Sequence, residues 1–401
     1  MNRVVFCLGY ALLCTVLIGC SSAQPTEEAP SVVNALPTLP PVEIPPVLSD
    51  GWDTPQLIGQ AEQREAPQVA LLANETSVFT WTGAFGTEAR HFSRGEAGNV
   101  QVMALRAYYP LQQRLFTTDD NILLFWLDRT AEDFDLRVQV GGFNRGGIAE
   151  LGPVVLSDQP TRNYSVVPTD DNLFRVVWSG GLGQTTNLYL NQVDAFGRPF
   201  GGGRLRIGGD YPALLRAIDG TVHLFWLEDN GRDAYSATFN ESNDPVLTDV
   251  QRVVTANISG TDIIEHFSLA YDGETVTLIW HVRRVNNTRL VITSSASLAN
   301  ASDASAYTPP EPLRLPDDTV VQWLTPTNSP ESNLPVAVHD GRTLSFAQMT
   351  DGQLTNVEAL VETGSLIGAP AIASSPRTVT LSWAQPSGLG YANLYAIERE
   401  H

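Results

Sequence analysis

The chain has 401 residues, of which 43% are hydrophobic and 17% charged, and its formal net charge is −20 at pH 7. A chain this acidic argues against binding to nucleic acid and against direct adhesion to anionic lipid headgroups. All 24 basic residues are arginine, which excludes mechanisms that need a lysine base or a lysine Schiff base.

The start of the chain has the pattern of a bacterial lipoprotein signal. Fifteen apolar residues follow Arg3, and the stretch ends in Leu17-Ile18-Gly19-Cys20, in which a small residue precedes the cysteine. Fifteen residues are short for a membrane span of about 20, so the pattern favours cleavage before Cys20 over an uncleaved anchor. We expect residues 1–19 to be a signal peptide and acylated Cys20 to anchor the protein to a bilayer of the cell envelope, facing outside the cytoplasm.

A proline-rich segment follows the signal. Residues 20–50 include PTLPPVEIPP, and prolines at this density prevent strand pairing and favour an extended polyproline conformation. The segment is predicted to be a tether for a folded domain at residues 51–401, and a proline-rich ligand for a partner domain is the alternative. All three cysteines precede this domain, which therefore has no disulfide and no thiol site.

The folded part repeats one pattern seven times. A short apolar strand ends in a tight polar turn, and a second strand follows that usually carries a tryptophan. The turns, with the aromatic residue that follows each, are Asn74-Glu75 with Trp81, Asp120-Asn121 with Trp126, Asp171-Asn172 with Trp178, Asp219-Gly220 with Trp226, Asp272-Gly273 with Trp280, Asp340-Gly341 with Phe346, and Ser375-Pro376 with Trp383.

The repeat length predicts a propeller. The turns are 46, 51, 48, 53, 68 and 35 residues apart, and a unit of about 50 residues accommodates the four short strands of one propeller blade. The last two spacings average close to the others, so seven blades are expected. Because the aromatic residue recurs in every unit, packing between blades is a simpler role for it than ligand binding.

The two ends of the chain predict how the ring closes. Thr54–Gln60 reads as a strand without a partner of its own, and the last unit ends at Tyr391–Arg399, which is only its third strand. An open radial array would expose sheet edges. We therefore expect an all-β, seven-bladed β-propeller closed by an N-terminal strand in the last blade.

Three stretches resemble the sialidase-like (BNR-type) propeller superfamily. Residues 135–147, 187–203 and 211–229 have its alternating strand, its Asp or Asn turn with a glycine, and the strand that follows. The resemblance implies a propeller over most of residues 52–401. It also implies that an enzyme of this type would use three arginines, a tyrosine nucleophile and an acidic partner. The sequence contains no Asp box (Ser-x-Asp-x-Gly-x-x-Trp) and no motif that places those groups, so the catalytic residues stay unassigned.

Candidate ligand-binding residues lie where a propeller gathers its loops, before the inner strands and after the second strands. Aromatic rims bind sugars and peptides, and arginines can hold a carboxylate. The alternative for the tyrosines is packing between blades, and for the charged residues it is solvation. The candidates are Arg64, Tyr109, Tyr164, Tyr211, Glu228, His266 and His281.

Two functions remain open from the sequence. The six histidines show no metal-ligand spacing, and no cofactor motif occurs, so neither a metal nor a cofactor is expected. The missing Asp boxes favour a propeller that binds a glycan, peptide or protein partner without catalysis. The alternative is a sialidase-like glycoside hydrolase or a related carbohydrate-active enzyme.

Overall fold

Short runs of β-branched and aromatic residues, separated by polar turns, make this chain a series of strands. The computed structural model describes residues 42–400 except 63–64, 84–85, 94–95, 106–109, 119–120, 130–132, 145–146, 151–152, 158, 170–172, 182–185, 229, 240–246, 328–332 and 389. From Glu43 onward the chain forms one unit, built of seven small antiparallel sheets of four or five strands each.

Each sheet is one blade, numbered in chain order by its inner strand. Blade 1 contains β2 (Gln68–Leu71), β3 (Ser77–Gly83), β4 (Gly86–Ser93), β5 (Glu96–Ala97) and β6 (Gln101–Leu105). Blade 2 contains β7 (Leu111–Thr117), β8 (Asn121–Arg129), β9 (Phe134–Asn144), β10 (Gly147–Glu150) and β11 (Val154–Val155). Blade 3 contains β12 (Thr161–Pro168), β13 (Leu173–Gly180), β14 (Asn187–Asp194) and β15 (Pro199–Gly208), and blade 4 contains β16 (Asp210–Arg216), β17 (Val222–Leu227), β18 (Asp233–Phe239) and β19 (Leu247–Thr255).

The remaining blades complete the ring. Blade 5 contains β20 (Ile263–Tyr271), β21 (Thr275–Arg283), β22 (Arg289–Ser297) and β23 (Glu311–Pro312), with short 3₁₀ helices at Leu298–Asn300 and Ala304–Ala306. Blade 6 contains β24 (Trp323–Pro326), β25 (Leu334–His339), β26 (Thr343–Thr350) and β27 (Gln353–Glu362). Blade 7 contains β28 (Ala371–Ser374), β29 (Thr378–Gly388), β30 (Tyr391–Glu400) and the N-terminal strand β1 (Gln56–Glu62).

The inner strands meet around a common axis. Strand β2 contacts both β7 and β28, β16 contacts both β12 and β20, and β24 contacts β28. The seven-bladed β-propeller is therefore confirmed.

The two ends of the ring are named by the direction of the inner strands. The front mouth is the end at which the inner strands begin, and the back mouth is the end at which they finish. Among the described residues, no helix is long and apolar enough to cross a membrane.

The hydrophobic core lies between the blades rather than within one centre. Six clusters of buried side chains each join two neighbouring blades. The six repeat tryptophans are all buried, and all except Trp383 belong to these clusters. Three of them, Trp178, Trp226 and Trp383, stack on a tyrosine of the third strand with ring centroids 5.5–5.7 Å apart. Their recurrence thus reflects packing and not a ligand stripe.

The prediction for the sixth repeat is wrong by one hairpin. Asp340-Gly341 does not join the inner and second strands but lies between the second strand β25 and the third strand β26. Phe346 is therefore a third-strand residue, and the inner strand of blade 6 begins at Trp323. The turn signal is the same in both places, since the Asp340 carboxylate accepts the amides of Arg342 and Thr343 at 2.7 Å. This displacement by one hairpin explains the irregular spacings of 68 and 35 residues.

Ring closure by the N-terminal strand is confirmed. Strand β1 pairs antiparallel with β30, from Gln56 opposite Ala396 to Glu62 opposite Tyr391. The strand begins two residues later than predicted, because Thr54 and Pro55 precede the ladder.

Residues 43–55, called the strap here, also pack on the ring, although residues up to 50 were predicted to belong to the tether. The Leu48 amide donates to the Leu360 carbonyl at 2.8 Å, and the Tyr395 hydroxyl donates to the Glu43 carbonyl at 3.1 Å. The strap therefore covers the seam between blades 6 and 7 before the chain enters β1.

Candidate functional site

Four neighbouring inner strands bulge where they begin at the front mouth. The ladder register shifts between Leu111 and Arg114 in blade 2, and at the equivalent end of blades 3, 4 and 5. Within two of these bulges, Gln112 and Tyr211 have φ angles of +51° and +50°. Such left-handed backbone is costly for residues other than glycine and concentrates at functional sites. The bulges point to the front mouth as a site.

Polar side chains link these bulges from blade to blade. The Glu65 carboxylate accepts the Gln112 amide at 2.8 Å, and the Gln112 side chain donates to the Asn163 side-chain oxygen at 3.3 Å. Asn163 in turn donates to the Asp210 carboxylate at 2.8 Å. One chain of hydrogen bonds therefore holds four blades in register around the front mouth.

A cavity of about 160 Å³ lies on the axis at this mouth. Every blade contributes to its wall, and none of the described residues that line it is an aspartate or glutamate. Its charged and titratable lining residues are Arg114, Tyr164, His266 and His281. The cavity is smaller than the roughly 300–1,000 Å³ typical of ligand pockets, so it suits one functional group better than a whole sugar chain.

Arg114 and His266 meet across the ring, from blades 2 and 5. A guanidinium N–H of Arg114 donates to Nε2 of His266 at 3.0 Å, which places the His266 proton on Nδ1. Burial lowers the pKa of His266 well below its usual value, and the charges of Arg114 and His281 act in the same direction. His266 is therefore a neutral acceptor that orients a permanent cation in the cavity.

His281 lies beside this pair. Its ring centroid is 5.7 Å from that of His266 and 5.6 Å from that of Trp323, and the side chain is only 2% exposed. Burial lowers the pKa of His281 to about 4, although the carboxylate of Glu265 opposes the shift. Its Nδ1 is buried without a hydrogen-bond partner among the described residues. His281 thus contributes a buried, neutral imidazole to the cavity wall.

An ion-pair cluster supports His281 from the outside. Glu265 accepts from Arg283 at 2.8 Å and from Arg289 at 2.7 Å, so two arginines hold one carboxylate. The Arg289 guanidinium also lies 5.0 Å from the centroid of the Trp323 ring. These contacts fix Trp323 against His281, and they satisfy Glu265 within the protein rather than directing it at the axis.

Two acidic groups beside Arg114 have shifted pKa values. Burial raises the pKa of Glu65, against the opposing hydrogen bond from the Gln112 amide and the charge of Arg114. Burial also raises the pKa of Tyr164 far above its usual value. The Tyr164 hydroxyl donates to the Phe125 carbonyl at 2.9 Å and also to the Gln112 carbonyl. Tyr164 therefore ties blade 3 to blade 2, and its hydroxyl is already occupied.

The other predicted site residues fall in different surroundings. Tyr211 is half-buried, and its hydroxyl donates to the Ile264 carbonyl at 2.8 Å, which links blades 4 and 5. Burial and the neighbouring Asp210 raise the pKa of Tyr211 to about 12. Glu228 is exposed in a turn whose backbone pairs with Asp233. Arg64, Tyr109 and Cys20 lie outside the described residues.

The structure thus brings His266 and His281 together and adds Arg114, which the sequence did not single out. Arg114 sits three residues after the start of β7, and the preceding bulge decides which side chain faces the axis. Its signal in the sequence is a lone arginine within the otherwise uncharged strand Leu111–Thr117.

Among the described residues, no group of three or more His, Cys, Asp or Glu side chains could hold a metal ion.

Solved structures of other proteins share this fold. The polysaccharide lyase Uly1 is 11% identical, with a TM-score of 0.56 over 84% of this chain and 90% of that one. An α-L-arabinanase of Penicillium chrysogenum, complexed with arabinobiose, is 14% identical, with a TM-score of 0.50 over 87% of this chain and 98% of that one. A Trypanosoma rangeli sialidase is 8% identical with a TM-score of 0.42, and this chain spans 53% of its length.

No protein-family model and no curated protein matches the chain. The predicted resemblance is confirmed as a likeness of structure only: at identities of 11–14%, what the chain shares with the lyase and the arabinanase is the propeller fold.

Proposed function

We propose that this protein is a membrane-anchored, extracytoplasmic lipoprotein whose propeller binds an acidic group of a glycan, peptide or protein partner at the front mouth, without catalysis. The observation that carries the proposal is the axial cavity with Arg114 and two neutral histidines in its wall and no carboxylate among its described lining residues. A guanidinium forms strong, charge-assisted hydrogen bonds with carboxylates and sulfates.

The acceptor His266 strengthens this assignment. Only one Arg114 donor is engaged with a described residue, and a guanidinium has five N–H groups. An incoming anion would therefore meet Arg114 donors that His266 orients, in a partly dehydrated site where such bonds are stronger than in bulk water.

The test is a binding screen with a matched pair of variants. The full chain in mild detergent is screened against acidic and neutral glycans and peptides, and the best binder is titrated calorimetrically. Arg114→Gln should weaken that binder at least tenfold, as loss of a charge-assisted hydrogen bond does. Arg129→Gln removes an exposed arginine from the end of a second strand and should leave affinity unchanged. Equal effects of both variants, or a preference for neutral ligands, would contradict an anion site on the axis.

A glycoside-active enzyme is the alternative function, and the carboxyl group of Glu65 allows this alternative to be tested. Glycosidases usually need two carboxyl groups about 5–9.5 Å apart across the substrate. Glu65, whose pKa is raised, accepts the Gln112 amide beside Arg114 but is not among the described residues that line the cavity. Release of reducing ends from any bound glycan, abolished by Glu65→Gln, would establish hydrolysis and overturn the non-catalytic proposal.

The membrane anchor is tested separately. Cys20→Ser should abolish incorporation of labelled palmitate and move the protein from the detergent phase to the aqueous phase, while the folded part keeps its melting temperature. Unchanged lipid labelling in Cys20→Ser would exclude this cysteine as the attachment site.

A further inference from the structure

The axial channel has a second, larger cavity at the back mouth. Its volume is about 530 Å³, within the range of about 300–1,000 Å³ that small-molecule sites occupy. Its described wall contains neither Arg114 nor the two histidines of the front cavity. The back cavity is therefore a separate candidate site, and its own wall decides which ligand it fits.

Four apolar side chains from the inner strands of blades 2, 3, 4 and 5 form what we call the apolar ring. They line both cavities and are Phe116, Val166, Leu214 and Leu269. Each is only partly buried, so it presents apolar surface to the channel. Apart from Arg216, Tyr271 and Thr327, every described residue of the back wall is apolar. Burial of this surface against an apolar ligand is favourable because it removes the surface from water.

One hydroxyl group in this wall has unused hydrogen-bonding capacity. Thr327 is only 8% exposed, and its Oγ1 has no hydrogen-bond partner among the described residues. The Thr327 amide, by contrast, donates to the Pro335 carbonyl at 3.1 Å. A buried polar group without a partner is unfavourable, because it has lost its hydration. A ligand with one donor or acceptor would therefore satisfy this hydroxyl.

Carboxylates near the back cavity disfavour an anionic ligand. Tyr271 belongs to the wall, and its hydroxyl donates to the Gly273 carbonyl at 2.7 Å. Burial raises the pKa of Tyr271, and the negative charges of Asp219, Asp272 and Glu274 act in the same direction. The same three charges would repel an acidic group placed beside Tyr271.

A cationic ligand is disfavoured by the wall itself. Arg216 is the only charged residue among the described residues that line the cavity, and it already interacts with a partner within the protein. An ammonium group in the cavity would find no carboxylate among the described wall residues and would meet this guanidinium instead. An uncharged ligand avoids both the guanidinium and the nearby carboxylates.

We propose that the back mouth binds a small, uncharged and largely apolar molecule, with its body against the apolar ring and one polar group toward Thr327. The cavity has the volume of about 18 water molecules, which admits a compact aromatic or branched compound but not a folded partner domain. This site goes beyond the proposed function, and it depends neither on a ligand at the front mouth nor on the membrane anchor.

The probe is N-phenyl-1-naphthylamine, an uncharged aromatic compound whose fluorescence rises in apolar surroundings and whose single N–H can donate to a hydroxyl. Residues 20–401 carrying Cys20→Ser are used, so that no detergent competes and every described residue is retained. We expect saturable binding with one site per chain. The matched anion is 8-anilinonaphthalene-1-sulfonate, which adds a sulfonate to the same aromatic body and should bind at least tenfold more weakly. Equal or tighter binding of the sulfonate would overturn the proposal.

Thr327→Val tests the polar contact. The substitution keeps the branched shape and removes the hydroxyl, so the probe should bind about threefold more weakly. The melting temperature should not fall, because Oγ1 has no hydrogen-bond partner among the described residues. Unchanged affinity in Thr327→Val would overturn the placement of the ligand's polar group.

A pair of exposed residues provides the matched test of location. Ile218 at the back cavity is 69% exposed, and Val285 in a front-mouth turn is 74% exposed, so aspartate at either position should be tolerated by the fold. Ile218→Asp should weaken the uncharged probe at least fivefold, whereas Val285→Asp and Arg114→Gln should leave its affinity unchanged. Loss of binding in Arg114→Gln with retention in Ile218→Asp would overturn the proposal by placing the probe at the front mouth. Binding without saturation, or equal losses in the two aspartate variants, would overturn it by showing no defined back site.

Discussion

Replacing Trp52 by alanine should destabilise the propeller even though Trp52 lies outside every blade strand. The indole is buried between Phe346, with ring centroids 5.6 Å apart, and Arg399, whose guanidinium lies 4.5 Å from the ring centroid. Its Nε1–H donates to Glu358 at 3.1 Å, and Arg399 pairs with the same carboxylate at 2.8 Å. Trp52 therefore joins the strap to blades 6 and 7.

The expected loss follows from these contacts. A buried aromatic side chain removes about 150–250 Å² from water, which is worth up to about 4–6 kcal/mol at 25 cal/mol per Å². Substitutions of buried tryptophan by alanine cost about 3–5 kcal/mol, and we expect Trp52→Ala to fall in that range. Trp52→Phe keeps an aromatic ring at this position but loses the hydrogen bond to Glu358 and part of the indole surface, so its cost should be at least about 1.5–3 kcal/mol.

Urea unfolding of the two variants measures these differences. Leu48→Ala is the control, because Leu48 is 51% exposed and its contact to blade 6 is made by its amide, so it should change stability by less than about 0.5 kcal/mol. A Trp52→Ala loss below about 1 kcal/mol would show that the strap rests on the ring without stabilising it.

Two further predictions concern the front mouth. His281 has a folded-state pKa of about 4 against an ordinary 6.5, so the unfolded chain binds more protons between these values and stability falls as the pH drops from 6.5 toward 4. Stability should thus fall by about 2 kcal/mol more between pH 7 and pH 5 in the parent protein than in His281→Gln, and equal pH slopes in urea unfolding would refute this. Tyr164→Phe should cost about 1–3 kcal/mol, because it removes the donor from the buried carbonyls of Phe125 and Gln112. The affinity for the front-mouth ligand should stay the same. Normal stability with weakened binding would show instead that the Tyr164 hydroxyl contacts the ligand.

The sequence predicted the ring because its repeat is local. Turn residues, strand periodicity and a tryptophan at one register are all visible within about 50 residues, and the unmatched strands at the two ends predict the closure. The prediction failed at Asp340-Gly341, because the same turn chemistry closes either hairpin of a blade. Only the pairing of β25 with β24, which tertiary packing decides, distinguishes the two.

The site was less predictable because it depends on contacts across the ring. His266 and Arg114 are 152 residues apart, and nothing local relates them. The bulge before Arg114 also alters which residue faces the axis, and the sequence of β7 carries no mark of that bulge. The sequence indicates His281 as a mouth residue, but its buried, neutral state arises from neighbours on other strands.

The axial channel changes character along its length because one inner strand can line it with residues two positions apart. Successive side chains of a strand point to opposite faces, so residues i and i+2 share a face and lie about 6.5–7 Å apart along it. Blade 2 places Arg114 at the front cavity and Phe116 deeper in the channel, where Phe116, Val166, Leu214 and Leu269 form an apolar ring. From the front mouth inward the channel therefore changes from cationic to apolar. One extended polar ligand cannot be held favourably along the whole axis, because its deeper part would lose hydration without gaining partners. That arrangement favours a ligand that places only its acidic group in the front cavity.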